Sequence, residues 1–361
     1  MNILVVGNGF DIAHGLPTEY GDFLRFVQAF QRFKVSTEKE NTNYYQYFLS
    51  LKENRDDIYN EIDTLVKENI WLDHFIKIYN SRQFDDKKGW IDFESEISTV
   101  IQGFDSERIR LKNKISTPKS IKNVNQLTNA IYELNFTPDN YKKRKYKFYN
   151  DLNKLTRCLE IYLSDYISIE KCKMLKDVSL LRIDKVLSFN YTDTYKILYH
   201  NFGSSKADYD FIHGKAEIGH NIENCNLILG IDEYLTGDSM NKDNEFIQFK
   251  KFYQRIYKGT GGHYIDWIND ISEYAKKTST LPTPRLNIYI YGHSLDVTDA
   301  DIIKRLILAE RAKTTIFYHN KEAMGNQIAN LVKVIGEEEL IKRTDGRNRT
   351  IIFQQSSNEK I

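Results

Sequence analysis

The densest chemical signal in the sequence is a glycine-rich string that follows an apolar run over residues 3–6. Gly7 and Gly9 stand directly after that run, and a third glycine, Gly15, follows six residues after the second. Glycine lets a backbone approach a pyrophosphate closely, and the N–H groups of such a turn can bind the anion. The spacing is not G-x-G-x-x-G, which weakens the ordinary dinucleotide-binding interpretation. A tight strand-to-helix turn without a ligand explains the same glycines.

Two further polar residues are candidates for chemistry because each follows a predicted strand. Asn190 carries an amide that can orient a water molecule, and His213 carries an imidazole that can act as a base near neutral pH. The carboxyl ends of the strands are where sites form in α/β sheets. Each residue taken alone is also explained by an ordinary turn at a strand end, where asparagine is common.

The elements that would position these residues are strands separated by helices. A buried strand is predicted over residues 2–6, and its wholly apolar character is typical of a central parallel strand. From about 43 to 169 the apolar spacing is helical almost throughout, and the later strand signals alternate with helices, which indicates a parallel sheet. The predicted later strands cover residues 183–189, 211–212, 227–229, 286–291, 315–318 and 350–353. We therefore expect a core over 1–40 and 176–361 and a helical insertion over 41–175.

The composition excludes several classes of protein. With 51 Lys+Arg and 50 Asp+Glu the net charge is +1, which argues against a broad polyanion-binding surface. The three cysteines form no CxxC pair, so neither a zinc ribbon nor a disulfide scaffold is expected. Neither a signal peptide nor an apolar stretch of membrane-spanning length is recognised. We expect a cytoplasmic protein without a membrane partner.

Several segments resemble sirtuins, and they occur in the same order as in that family. The opening string GNGFDIAHGLP over 7–17, with its glycines and proline, resembles the sirtuin pattern G-A-G-x-S-x-x-x-G-I-P. The segments SFNYT over 188–192, IHG over 212–214 and GHSL over 292–295 resemble three later sirtuin motifs. In sirtuins these lie beside the nicotinamide ribose, carry the catalytic histidine and hold the adenosine half of the cofactor. Four weak motifs in the right order are stronger than any one of them.

A narrower resemblance is to the AbiH family of bacteriophage abortive-infection proteins. It rests on the strings NGFDIAHGLPT, WIDFE, SFNYT, IHG and GHSLD, which together span most of the chain. With the sirtuin motifs, this resemblance implies a role in phage defence and an α/β fold. The fold implied is a sirtuin-like, Rossmann-type parallel sheet with a large helical insertion. The resemblance leaves open a phage-derived trigger and a homo-oligomer.

The sirtuin resemblance also implies which residues meet the cofactor. It makes NAD the substrate or ligand and gives catalytic roles to Asn190 and His213. The residues it implies for cofactor binding are Gly7, Asn8, Gly9, Phe10, Asp11, Gly15, Pro17, Gly292, His293 and Ser294. Because the zinc-binding cysteines of sirtuins are missing, no metal is expected.

Departures from the sirtuin pattern change the expected reaction. Asp11 occupies the position of a small serine, and Asn190 is followed by Tyr-Thr in place of Ile-Asp. With the zinc-supported substrate module missing as well, protein deacylation is not expected. Hydrolysis of NAD to nicotinamide and ADP-ribose needs only a nucleotide pocket and an attacking water. Because nicotinamide leaves as a neutral molecule from a cationic ring, an oriented water and a base near pH 7 suffice.

Two other functions remain open from the sequence. A non-catalytic sensor of NAD or ADP-ribose needs the glycines but not both Asn190 and His213. A nucleic-acid-acting defence protein would use the basic, tyrosine-interleaved run over residues 142–147. A solvated helix face explains that run as well, so nucleic acid is not favoured as the partner.

A late cluster of charged residues has competing explanations. Asp296, Asp299 and Asp301 resemble a metal cluster, but we expect Thr298 or Asp299 to cap the helix that follows. His293, within GHSL, is expected to be satisfied by the neighbouring backbone.

Overall fold

The described residues of the computed structural model form two compact units. They cover residues 1–36, 40–82, 91–112, 138–199, 207–231, 244–277, 286–357 and 359–361. Unit 1 comprises residues 1–18, 167–216 and 259–361, and unit 2 comprises residues 19–166 and 217–258. Trp90 of the WIDFE string lies outside the described residues. The domain boundaries proposed from the sequence, with a core over 1–40 and 176–361, stay a prediction.

Unit 1 contains a six-stranded sheet in which every pairing is parallel. The strands are β1 (Asn2–Val6), β2 (Lys185–Ser188), β3 (Asp208–Phe211), β4 (Leu286–Tyr291), β5 (Ala312–Tyr318) and β6 (Ile351–Gln355). Their order across the sheet is β3-β2-β1-β4-β5-β6. Doubly wound dinucleotide-binding sheets have this order, in which the direction of winding reverses between β1 and β4. The predicted α/β class with a parallel sheet is confirmed.

The helices lie on both faces of this sheet and throughout unit 2. In chain order they are α1 (Asn8–His14), α2 (Tyr20–Val35), α3 (Asn43–Asn54), α4 (Asp56–Val66), α5 (Ile70–Arg82), α6 (Phe93–Lys112), α7 (Pro138–Ile161), α8 (Lys176–Ser179), α9 (Thr194–Tyr199), α10 (Lys251–Lys258), α11 (His263–Lys277), α12 (Ala300–Ile307), α13 (Lys321–Ile335) and α14 (Glu337–Thr344). In unit 1, α1, α8 and α9 pack with Leu4 and Val6 on one face of the sheet. Helices α11 to α14 pack with Ile3 and Val5 on the other face. Because both faces are buried, β1 is apolar at almost every position.

The strand predicted over residues 227–229 does not form. The segment is buried, but none of the strands in the described part of the chain pairs with it. The amide of Gln254 stands in for one, because its oxygen accepts from the Leu229 N–H at 3.1 Å and its nitrogen donates to the Leu229 carbonyl at 3.0 Å. The apolar run therefore predicted the burial of this segment correctly. The predicted strand pairing is wrong, because a side-chain amide binds the backbone instead.

Unit 2 is helical and its core is rich in aromatic rings. The rings of Phe26 and Tyr162 lie 5.0 Å apart, and Tyr162 opens a π-helical turn that directly follows α7. Glu19 is the N-cap of α2, and its side chain forms a capping box with Asp22.

Candidate functional site

The glycine string holds the ends of β1 and β4 against each other. The N–H of Gly7 donates to the Tyr291 carbonyl at 3.2 Å, and the N–H of Gly9 donates to the Gly292 carbonyl at 2.8 Å. A Cβ at Gly7 would lie 2.7 Å from the Gly292 oxygen, and one at Gly9 would lie 2.8 Å from the Gly292 Cα. Gly292 has a φ of +68°. These glycines are therefore required by the close approach of two loops, whatever ligand they meet.

A cleft of about 560 Å³ opens beside this contact, at the carboxyl ends of β4, β5 and β6. Its lining residues are Gly9, Ile12, Ala13, Tyr291, Gly292, His293, Ser294, Phe317, Tyr318, His319, Ala323, Asn326, Gln327, Ser356 and Lys360. Four of the residues expected to bind the cofactor, Gly9 and the segment 292–294, are among them. The volume is within the range of small-molecule sites, and the β1/β4 switch point is where α/β sheets bind ligands.

The remaining expected cofactor residues lie on or around α1. Phe10 is fully buried among the rings of Tyr195, Tyr199 and Tyr291. Asn8 accepts a hydrogen bond from the Thr18 hydroxyl at 2.7 Å. Gly15 ends α1 in the left-handed conformation, with φ +87°, and Pro17, two residues further on, is exposed. Asn8, Gly15 and Pro17 do not line the cleft.

Asp11 is a buried carboxylate on α1. Thr192 donates a hydrogen bond to its Oδ2, while Oδ1 has no hydrogen-bond partner among the described residues. Burial raises the pKa of Asp11 to about 6, although hydrogen bonds from Thr192 and Thr194 act in the opposite direction. A carboxyl group held near its charge transition at neutral pH is a common feature of functional sites.

Asn190 lies next to Asp11 in a small cavity lined by both residues. The cavity volume is about 10 Å³, which is close to the space that one water molecule needs. The backbone of Asn190 is fixed by Ser188, whose Oγ accepts from its N–H at 3.1 Å. Its side chain is near enough to Asp11 to lower that carboxyl's pKa, but neither amide atom has a hydrogen-bond partner of normal geometry among the described residues.

His213 belongs to a different cluster, on the face of the sheet that carries Phe189. It follows β3 in a turn that Gly214 closes with a φ of +81°. Its Nε2 lies 3.4 Å from Asp299 Oδ1, and the Nε2 of His293 lies 3.4 Å from Asp299 Oδ2. The Phe189 ring packs against both imidazoles. The structure thus groups His213 with Asp299 and His293, and Asn190 with Asp11.

The role expected for Asp299 as a helix cap needs correction. Asp299 stands at the N-cap position of α12, but its side chain makes no capping bond. Asp296 caps the preceding short turn instead, accepting from the Thr298 N–H at 3.1 Å. The expectation for His293 is confirmed, because its Nδ1 accepts from the Leu295 N–H at 2.9 Å. Sequence spacing gave no signal that the Asp299 carboxylate reaches two histidines.

His14 is a structural residue. Its Nδ1 lies 2.7 Å from the Phe10 carbonyl, and a carbonyl only accepts, so Nδ1 carries the proton. Its Nε2 then accepts from the Tyr199 hydroxyl at 2.9 Å. Burial lowers the pKa of His14 to about 4, so the ring is neutral near pH 7. Both nitrogens are satisfied within the core.

Two wider properties concern metals and membranes. In the described ranges, no group of three or more histidine, cysteine or acidic residues is arranged to hold a metal ion. None of the helices in that part of the chain combines the length and the apolar character that a membrane crossing requires.

The strand order and the cleft place the protein in the class of doubly wound α/β proteins with a ligand-sized cleft at the switch point of the sheet. A family model described as bacteriophage abortive infection AbiH matches residues 3–319. The chain therefore belongs to the AbiH family, as the sequence predicted, and the family indicates a role in abortive infection as a defence against phage. Comparison with curated proteins finds no match.

Proposed function

We propose that the protein hydrolyses NAD to nicotinamide and ADP-ribose during phage infection, using a sirtuin-like carboxyl edge of its sheet. One observation carries the proposal: Gly9 and the segment 292–294, which are far apart in the sequence, line one cleft of about 560 Å³. Such a volume suits a ligand of cofactor size. The position at the β1/β4 switch point is where dinucleotides bind in sheets with this strand order.

Buried polar atoms at the same edge of the sheet support the proposal. Asn190 Nδ2 and Oδ1, His213 Nδ1 and Gln327 Oε1 have no hydrogen-bond partner among the described residues. An unsatisfied buried group costs about 1–3 kcal/mol, so native proteins rarely keep one unless a ligand or a water molecule satisfies it. The amide, hydroxyl and phosphate groups of NAD have the complementary donors and acceptors.

The proposed reaction assigns one role to each catalytic residue. Asn190 orients the water that attacks C1′ of the nicotinamide ribose, and His213 takes a proton from that water. The ribose acquires oxocarbenium character as the bond to nicotinamide breaks. The cationic nicotinamide ring becomes neutral as it takes up the electron pair of that bond. No strong acid therefore has to protonate the leaving group.

The test is nicotinamide release from NAD by the purified protein, with and without lysate of phage-infected cells. We expect release by the wild type in at least one of these conditions. His213→Ala should lower the rate about 10²–10⁴-fold. His263→Ala is the matched control, because His263 is an exposed histidine at the start of α11, and it should keep the wild-type rate.

Calorimetric titration with NAD separates the enzyme from the sensor. Binding of NAD without release of nicotinamide in any condition would support a sensor of NAD and contradict hydrolysis. A protein that neither binds NAD nor releases nicotinamide would contradict both functions. Release that survives His213→Ala at the normal rate would keep hydrolysis and remove His213 as the base.

A further inference from the structure

The two buried histidines at the sheet edge differ in how many of their ring nitrogens are engaged. His293 uses both, because Nδ1 accepts from the Leu295 N–H at 2.9 Å and Nε2 faces Asp299 Oδ2 at 3.4 Å. His213 uses one, because Nε2 faces Asp299 Oδ1 at 3.4 Å while Nδ1 has no hydrogen-bond partner among the described residues. Of these two imidazoles, only His213 has a buried ring nitrogen without a hydrogen-bond partner among the described residues.

The position of the proton on each ring follows from its partners. A nitrogen that accepts from a backbone N–H carries no proton, so neutral His293 is protonated at Nε2 and points that N–H at Asp299. The other oxygen of the same carboxylate faces His213 Nε2. A carboxylate only accepts hydrogen bonds, so it favours the proton on Nε2 of His213 and leaves a lone pair on Nδ1.

Aromatic rings and a few titratable groups surround the imidazole of His213. The Phe189 and Tyr191 rings lie 5.7 and 6.4 Å from the imidazole, centroid to centroid. The titratable groups that the described residues place around it include Asp299, His293 and the Tyr191 phenol. The 3.4 Å separations are longer than ordinary hydrogen bonds, which is usual for catalytic contacts before a substrate is bound.

We propose that Nδ1 of His213 is the base atom and that Asp299 is the positioning residue that fixes this arrangement. The inference rests on the proposed NAD hydrolysis. The water oxygen forms a bond to C1′ while the C1′–nitrogen bond breaks, and that electron pair passes to the nicotinamide ring. The water proton passes to Nδ1, and the imidazolium that results is stabilised by Asp299. His293 holds the second carboxylate oxygen and so keeps the carboxylate turned toward His213.

Replacement of the carboxylate by an amide tests the role of Asp299. Asp299→Asn keeps the shape but not the charge, and we expect kcat for nicotinamide release to fall about 10²–10⁴-fold with KM changed less than about threefold. Asp299→Glu should restore part of kcat. Asp301→Asn is the control, because Asp301 is exposed on the same helix, and it should retain wild-type kinetics. Thermal unfolding of each variant confirms that the fold is kept.

Nitrogen NMR of the histidine rings tests the same arrangement without using catalysis. In the wild type, neutral His213, assigned by comparison with His213→Gln, should carry its proton on Nε2. In Asp299→Asn the ring should become a mixture of the two tautomers. A wild-type ring protonated on Nδ1, or an unchanged kcat in a folded Asp299→Asn protein, would overturn the inference. If the wild type releases no nicotinamide, the proposed function fails, and with it the assignment of a base; the tautomer then still decides whether Asp299 positions His213.

Discussion

Two buried polar regions of this protein differ in how completely they are satisfied. In unit 2, the buried side chain of Arg157 makes five hydrogen bonds, to Glu61, Glu160 and the carbonyls of Glu217 and Ile218. Arginine has five N–H donors, so this is a complete set. In unit 1, Asp11, Asn190 and His213 are equally buried, yet each keeps at least one polar atom without a hydrogen-bond partner among the described residues.

The difference separates a structural network from a candidate site. A fully bonded ion network holds the elements around it in place, and removing one partner leaves an uncompensated buried charge. Partly bonded groups destabilise the protein that contains them, so their retention points to a function performed with a ligand or a water molecule. Substitutions in the Arg157 network should therefore lower the stability of the protein. Substitutions of Asn190 or His213 should lower its activity.

The largest expected effect on stability is in the Arg157 network. Glu160 is fully buried, pairs with Arg157 at 2.7 Å and lies 2.6 Å from His220 Nδ1. Glu160→Ala should lower the free energy of unfolding by about 3–5 kcal/mol, because it leaves Arg157 short of one counter-charge. Denaturant titration followed by circular dichroism measures this change. Glu223→Ala, at an exposed site, is the control, and a Glu160→Ala protein as stable as that control would contradict the comparison.

A smaller effect of opposite sign is expected at Asp11. Its carboxyl has a pKa raised from 3.8 to about 6 by burial, so the folded state binds the proton more tightly than the unfolded state. Stability is therefore highest where the group is protonated, falls as the pH rises from about 4 to 6, and stays lower above that by at most about 3 kcal/mol. Asp11→Asn should stabilise the protein by about 1–3 kcal/mol at pH 7.5 and have little effect at pH 4.

Stability curves at the two pH values provide the check. Asp270→Asn, an exposed carboxylate on α11, should change stability little at either pH. If Asp11→Asn destabilises the protein at pH 7.5, the carboxylate is a satisfied structural group and the contrast with Arg157 fails at this residue.

The smallest effect is expected from the basic run on α7. Lys145 pairs with Glu245 at 2.5 Å and Lys147 with Asp151 at 2.8 Å, so part of the positive charge is neutralised within unit 2. Reversal of Lys142, Lys143 and Arg144 to glutamate should leave nicotinamide release unchanged. Loss of release in a folded triple variant, or salt-sensitive cleavage of RNA or DNA by the wild type, would favour a nucleic-acid function.

The sequence predicted the parallel α/β class because the strands are buried on both faces and appear as short apolar runs. It also predicted most strand positions, but not the order across the sheet, which depends on contacts between segments as distant as β1 and β4. Within the candidate site, motif order identified Asn190, His213 and the 292–294 segment. The roles of these residues in binding or catalysis remain predictions.

The parts that the sequence did not predict depend on side chains that meet only after folding. Asp299 is 86 residues from His213 in the sequence (299 − 213). Because it precedes a helix, its position predicted a helix cap and not a partner of His213. Gln327, whose amide donates to the carbonyls of His293 and Phe317, lies mid-helix in α13 where polar residues are usually exposed. Gln254 replaces a strand partner in the same unpredictable way.

Nicotinamide release by wild type, Asn190→Ala, His213→Ala and the double variant tests the central claim most directly. Asn190 and His213 belong to different clusters, yet the proposed reaction requires both to act on one water molecule at one bond. Residues that serve one step behave as a unit, so each single variant should lose about 10²–10⁴-fold in rate, and the double variant should be about as slow as the slower single variant. Both single variants should keep the fold, because His213 Nδ1 and the amide atoms of Asn190 have no hydrogen-bond partner among the described residues. Losses that multiply in the double variant, or normal release from either single variant, would contradict the account.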